Sequence, residues 1–570
     1  MYSERINALA DALSRGRLSR RDFLKAAAGL GISMPAAMAL LEGCGPAPTA
    51  ERTTAPPGET PKAQPTAAPT MAPTTPPTPT KTTAVIGMPA PIRSLDPFFI
   101  GSPNDLAPDM AIYDSLFDID YDTMEITPVL VEEWEQVDDL TWAFKLKEGI
   151  QFHKDYGEMT ADDYAFWVNK IVTEKAPPYF IMGSGMVKEA VVTDKYAFEI
   201  HLTAPWAAYP LTSLVSYGGV VLSSKAYQEM GAEQFAVNPI GTGPFELESW
   251  TPGGEMVLKR NENYHLAGLP KLEELVFQGI EDRVVRLEKI RNGEIDWTYG
   301  LDKKDISALE SEPSIQVLHA PGWNWDYITF NLALPDRPWL DPRVRKAISY
   351  AIDRNAIVES IYYGQATAED DSLPPGYLGS DPDQQFYPNT ADLDMARDLM
   401  DEAGYADGFT MPCMTSDKEN LRRSLQVQAE QLRQINIEVE IEQTDAATYR
   451  TRWQNNDFET ISEDAGMASP DSDSALYWWY HTGPEGGSNL GADGYSNPDL
   501  DAILDQARQS SDSDERATLY REALEIIAED CPKVVICNVD QEYVLNAGLQ
   551  GFYPTPQAMF PYFKTVYWSA

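Results

Sequence analysis

Between Gly45 and about Thr83 the chain is mostly Pro, Thr and Ala, as in Pro65-Thr66-Ala67-Ala68-Pro69-Thr70. A stretch of this kind buries no apolar surface, and its prolines favour extended polyproline II conformation. It divides the 570 residues into a short N-terminal piece and a body of roughly 490. A body that long needs two or three cores, and the 43 % of hydrophobic residues is ample for them. At about 3.1 Å per residue the stretch spans on the order of 100 Å, the length of a tether.

The N-terminal piece carries Ser19-Arg20-Arg21-Asp22-Phe23-Leu24-Lys25, followed by a weakly apolar run to Leu41. That run is too short and too rich in Ala and Gly for a transmembrane helix but suits the apolar core of a signal peptide. The motif with Arg20 and Arg21 resembles a twin-arginine export signal. Leu41-Glu42-Gly43-Cys44 resembles a lipobox, with Glu42 unusual for its place. The expectation is a signal peptide over 1–43, lipid on Cys44, a tether over 44–82, and work at the extracytoplasmic face of the bacterial cytoplasmic membrane. A plain buried helix ending at an incidental Cys is the alternative.

Lys and Arg total 44 against 88 Asp and Glu, a net charge of −44. The field of such a body repels nucleic acid and anionic lipid, so neither is an expected partner. A cationic ligand, a saline habitat and a solvated, self-repelling surface all fit this charge. With Cys44 lipidated, Cys413, Cys531 and Cys537 remain, and at most one disulfide forms within a monomer. Free buried thiols are the alternative.

The folded body begins with a strand at Thr83-Ala84-Val85-Ile86-Gly87, followed by a turn at Ser94-Leu95-Asp96-Pro97 and a helix from Leu106 to Phe117. Thr127–Trp134 and Leu140–Lys147 read as strands, the second alternating apolar and polar residues. Thr160-Ala161-Asp162-Asp163 caps a helix running to about Lys170. Gly241-Thr242-Gly243-Pro244 is a tight turn into a strand. Asp341-Pro342 opens a helix with one apolar face at Val344, Ala347, Ile348, Ala351 and Ile352. A second amphipathic helix covers Leu421 to Gln434, with a strand from Ile435 to Ile441. Strands alternating with helices in this way build an α/β lobe.

Taken together, these runs resemble the large extracellular solute-binding proteins that serve dipeptide, oligopeptide and nickel ABC importers (solute-binding protein family 5). The resemblance starts with Asp138-Asp139-Leu140-Thr141-Trp142-Ala143-Phe144-Lys145-Leu146 and Thr160-Ala161-Asp162-Asp163. It continues in order through Asn238–Phe245, Arg260–Tyr264, Gly293–Asp296, Phe330-Asn331, Asp341–Arg354, Ala403–Phe409, Tyr495–Pro498 and Ile527–Asp530. It implies an α/β, two-lobed periplasmic-binding-protein-like fold (type II, cluster C) with an extra domain on lobe I. Lobe I is expected at 83–125, 235–325 and 545–570, the extra domain at 126–234, and lobe II at 326–544. It further implies a monomer that captures a peptide-like or other organic solute in an interlobe cleft and delivers it to ABC permease subunits in the membrane.

Asp457 to Asp471 aligns with the strand and loop that line the cleft in this family. Peptide-binding members carry there a Trp and, three residues on, an Asp that pairs with the ligand amine; here those positions are Ala465 and Ala468, with Met467 between them. A buried ammonium without a carboxylate is costly. Glu463 or Asp464 can substitute, although strand alternation lets only one of them face the cleft. Arg422 and Arg423 stand where dipeptide-binding relatives hold the ligand carboxylate, a task that suits a guanidinium fork. The aromatic candidates are Trp323 and Trp325, which point the same way from a strand, together with Tyr477-Trp478-Trp479-Tyr480, Tyr179-Phe180 and Trp206. Such faces cover sugar rings or organic solutes, so an oligosaccharide or a modified peptide is the second ligand class.

An exported hydrolase and a sensory receptor are the other functional readings. The five His are scattered, and no G-x-S-x-G, Walker or H-E-x-x-H motif occurs. Asp471 and Asp473 hint at calcium, but the loop lacks the Gly and distal Glu of an EF-hand. The expectation is a binding protein, with no enzymatic residues, no metal and no cofactor.

Overall fold

The first strand forms as expected, over Thr83–Met88, and lies inside the larger of two main sheets. The computed structural model describes residues 81–99, 103–121, 123–176, 185–215, 217–466, 469–482, 494–556 and 561–569. The expectations for Arg20, Arg21, Cys44, Tyr179, Met467 and Ala468 lie outside the described residues.

The large sheet has eleven strands. At one end Ile437–Gln443, Phe409–Thr415 and Thr460–Gly466 run parallel to one another. At the other end lie Thr83–Met88, Glu274–Gly279, Met256–Arg260 and Phe245–Trp250. Two long antiparallel strands, Ile315–Phe330 and Lys533–Asn546, join the ends; we call them the crossing strands. Their register breaks between Ala320 and Asn324, the bend that a β-bulge introduces. Gly322 sits in this break, where a Cβ would lie 1.8 Å from the Val539 carbonyl oxygen, so only glycine fits.

A separate four-stranded antiparallel sheet (Val131–Asp138, Thr141–Leu146, Ala197–Leu202, Val187–Asp194) packs beside the helix Ala161–Glu174. The helix starts with a capping box between Thr160 and Asp163, which satisfies two exposed backbone N–H groups at once. It buries Tyr164, Trp167, Val168 and Ile171. Gly243 meets the end of the helix Pro103–Ile112, where a Cβ would lie 2.6 Å from the Ile112 carbonyl.

That helix stops at Ile112, short of the expected Phe117. Beyond it the backbone bonds elsewhere: Leu116 N–H donates to Gly219 O at 2.8 Å, and Phe117–Asp120 becomes a strand paired with Glu125–Pro128. The helix Pro342–Ala351, capped by Asp341, buries Val344, Ala347, Ile348 and Ala351. A fully buried Val or Ile contributes about 1.5–3 kcal/mol, so this face anchors the helix to the sheet. Cys413, Cys531 and Cys537 are buried and free. Among the described residues no helix is long and apolar enough to cross a membrane.

Candidate functional site

Period-two alternation along the first crossing strand puts Trp323, Trp325 and Tyr327 on one face. All three are buried in one cluster with Leu373, Tyr377, Leu476, Trp479 and Tyr480. Trp323 meets Tyr377 edge-on at 5.6 Å and Tyr121 at the same distance; Tyr327 meets Trp479 at 6.2 Å. The Lys533 ammonium, from the second crossing strand, lies 4.2 Å from the Trp479 ring centre, 4.5 Å from Tyr327 and 5.8 Å from Tyr480. Stacked π faces stabilise a cation held among them.

Strand pairing decides between the two neighbouring acids. Tyr327 stands opposite Glu463, and Asp326 stands opposite Asp464. Glu463 therefore shares the aromatic face, where it is 4 % exposed and accepts from Thr329 Oγ1 at 3.3 Å. Asp464 points to the other side, onto Lys418 Nζ at 2.6 Å. The helix Glu419–Leu432 lies on that side too, since its Ser424 hydroxyl bonds Asp326. Arg422 and Arg423 belong to this helix, half-buried, with Arg422 held by Glu419 at 2.7 Å. Of the candidate residues, Trp323, Trp325, Trp479 and Glu463 come together, with Trp478 packed at the margin of the cluster. Asp464, Arg422 and Arg423 lie behind the sheet.

Two hollows flank the indoles. The larger, of about 170 Å³, is lined by Gly322 and Trp323 of the first crossing strand and by Tyr121, Met124, Pro374 and Tyr553 from segments outside the large sheet, among others. The smaller, of about 10 Å³, lies among Trp325, Tyr327, Ser372, Trp479, Tyr480 and Lys533.

Behind the strand Asp326 is fully buried, with no ion pair among the described residues. Its Oδ2 accepts from Tyr362 at 2.9 Å and from Ser424. Burial pushes its carboxyl up to about 7, against the lowering effect of these hydroxyls.

Asp471 and Asp473 bind arginines, which answers the calcium hint. Arg508 holds Asp473 through Nε and Nη2, both at 2.8 Å, in a bidentate fork. Arg516 Nη2 reaches Asp471 at 2.5 Å. Trp206, just beyond the four-stranded sheet, donates its indole N–H to Asp473 Oδ2 at 3.1 Å, and Ala207 N–H donates to Arg508 O at 2.9 Å. No group of residues suited to a metal ion occurs among the described residues.

Sequence reasoning missed Tyr327, Ser372 and Lys533. Tyr327 was within reach as the third member of the alternating Trp323, Trp325 series. Ser372 and Lys533 arrive from distant segments and carry no local signal.

A sequence profile of the bacterial extracellular solute-binding proteins, family 5 Middle, matches residues 125–487. The glutathione-binding protein GsiB of Pectobacterium atrosepticum is 25 % identical over 488 residues, covering 84 % of this chain and 93 % of that protein. The periplasmic binding protein DppA of Helicobacter pylori, solved with the peptide STSA, superposes with a TM-score of 0.72 at 25 % identity, covering 85 % of this chain and 98 % of its own. A dipeptide-binding protein of Pseudoalteromonas sp. SM9913, solved with Met-Leu, gives a TM-score of 0.73 at 23 % identity, covering 85 % of this chain and all of its own, and supports the fold.

Proposed function

We propose that this chain, which belongs to the bacterial extracellular solute-binding proteins of family 5, takes a peptide-like solute between the two ends of its long sheet and hands it unchanged to the permease of an ABC importer. The observation that carries this reading is the row of Trp323, Trp325 and Tyr327 on a strand that runs between the two ends, beside a hollow to which Tyr121, Pro374 and Tyr553 come from three distant parts of the chain. Aromatic faces cover the apolar parts of a solute, and indole and phenol tips fix its orientation. Glutathione and the peptide STSA, which the Pectobacterium and Helicobacter proteins are named with or hold, are both peptides.

In this reading lobe I comprises 83–125, 235–325 and 545–570, the extra domain 126–234 and lobe II 326–544. A solute touching both lobes favours the closed arrangement. Glu463 is the acid we assign to a ligand amine, in place of the carboxylate that Ala468 does not supply; Asp464 is engaged by Lys418. The protein acts as a monomer outside the cytoplasmic membrane, exported by its twin arginines and held there by lipid on Cys44.

Mass spectrometry of small molecules released from the purified, gently unfolded protein tests this reading, followed by thermal unfolding with short peptides. A peptide at a hundred times its Kd adds about 2.7 kcal/mol to the unfolding free energy. Cargo recovered chemically altered, or stability indifferent to every peptide, overturns it.

A further inference from the structure

The larger hollow, beside Trp323, is walled unlike the rest of this acidic molecule. Charged residues make up 23 % of the chain, yet among the described residues no Asp, Glu, Lys or Arg lines it. His319, which does, has its Nε2 3.0 Å from a Glu310 carboxylate oxygen. The Tyr121 hydroxyl pairs with that of Tyr562.

The walls are rings. Tyr121 and Trp323 stand 5.6 Å apart, and Tyr121 and Tyr553 lie nearly parallel at 6.4 Å. Prolines from three separate segments, Pro321, Pro374 and Pro554 among them, supply much of the rest. A proline ring fixes its φ, so walls of this kind are stiff and the space resists collapse. A guest then pays little to order the site. Tyr553 is 40 % exposed, and the hollow opens to solvent on that side.

Size and chemistry together name the guest. The volume is about 170 Å³, and an apolar cavity of about 150 Å³ binds benzene. A charged side chain entering here gives up its water and meets no opposite charge. An aromatic one gains by leaving water, and gains again by edge or offset contact with the rings around it.

We infer that this hollow is the specificity pocket for one aromatic side chain of the solute, seated among the Tyr121, Trp323 and Tyr553 rings. This rests on the reading of the cargo as peptide-like and sharpens it to peptides with a phenylalanine-like residue at one position.

Calorimetric titration of the purified protein with trialanine, Phe-Ala-Ala, Ala-Phe-Ala and Ala-Ala-Phe finds which position enters. One of the Phe peptides binds about tenfold or more tighter than trialanine, as burial of that side chain requires, and Glu at the same position abolishes the gain. Tyr553→Ala removes one wall at an exposed site, and the preference falls to about threefold or less. A second measurement reports the place itself. The ¹³C-methyl signal of Met124, which also lines the hollow, is identified by its absence from Met124→Leu; it moves with the preferred Phe peptide, through the ring current, and stays with trialanine. Phe peptides no tighter than trialanine, Glu as good as Phe, or a preference undiminished in Tyr553→Ala with the Met124 signal unmoved each overturn the inference alone. No binding by any of these peptides overturns the peptide reading and the inference with it.

Discussion

Asp326 and Asp473 are both fully buried, one behind the first crossing strand and one on its aromatic side, and the chain meets the cost of burying them in opposite ways. Asp473 takes the Arg508 fork, with Trp206 as a further donor. Asp326 has no ion pair among the described residues and is held by two hydroxyls, its carboxyl pushed up to about 7 by burial. The ion pair ties separate parts of the molecule together: the segment after the four-stranded sheet, the segment after Thr460–Gly466, and the helix Pro498–Gln509. The neutral solution ties one strand to the helix behind it and titrates near neutrality. A buried charge with a partner builds a clasp; a buried acid without one builds a proton-dependent contact.

Removing the partner breaks the contrast most severely. Arg508→Ala removes the cation from the buried Asp473 and leaves only neutral donors, and the expected loss is about 3–5 kcal/mol in urea unfolding near pH 7. Asp326→Asn comes next and sharpens it. The folded carboxyl of Asp326 binds its proton more tightly than the unfolded one, whose value is near 3.8. Its contribution to stability is therefore full below about pH 4 and lost as pH rises towards 7, with Asp464 adding to the repulsion. Asn removes this titration, and urea midpoints of the variant gain on the wild type across that window, by on the order of 3 kcal/mol at its upper end. A variant that tracks the wild type at every pH would show that Asp326 is ionised throughout.

Trp206→Phe tests the clasp from its other side. It removes one hydrogen bond to a charged acceptor, an expected cost of about 2 kcal/mol, and it loosens the four-stranded sheet from Asp473, which hydrogen exchange at Ala207 reports. Lys418→Ala is the smallest. Its pair with Asp464 is exposed to solvent on the lysine side, and the expected change is under about 1 kcal/mol and shrinks further in high salt.

Much of the secondary structure was legible because its causes are local. The capping box at Thr160, the Asp341-Pro342 start and the alternation at Thr141–Leu146 each need only a few neighbouring residues. Boundaries failed where distant backbone intervened. The helix expected to reach Phe117 gives way to contacts with Gly219, and the strand expected from Ile435 begins at Ile437, after a short turn that ends with Asn436 at positive φ. Trp323 and Trp325 were found from spacing alone, and the choice of Glu463 over Asp464 waited on which residue each one faces across the sheet. Lys533 and Ser372 were invisible for the same reason, as were Arg508 and Arg516, whose presence turns an apparent calcium loop into two ion pairs.

The crossing strands have a mechanical consequence. Both run from one end of the sheet to the other, so any swing between the ends twists a hydrogen-bonded ribbon, whose register shifts beside Gly322 and between Asp326 and Tyr327 are its irregular points. The indoles ride on that ribbon. In the proposed function, a guest that touches them touches the ribbon itself.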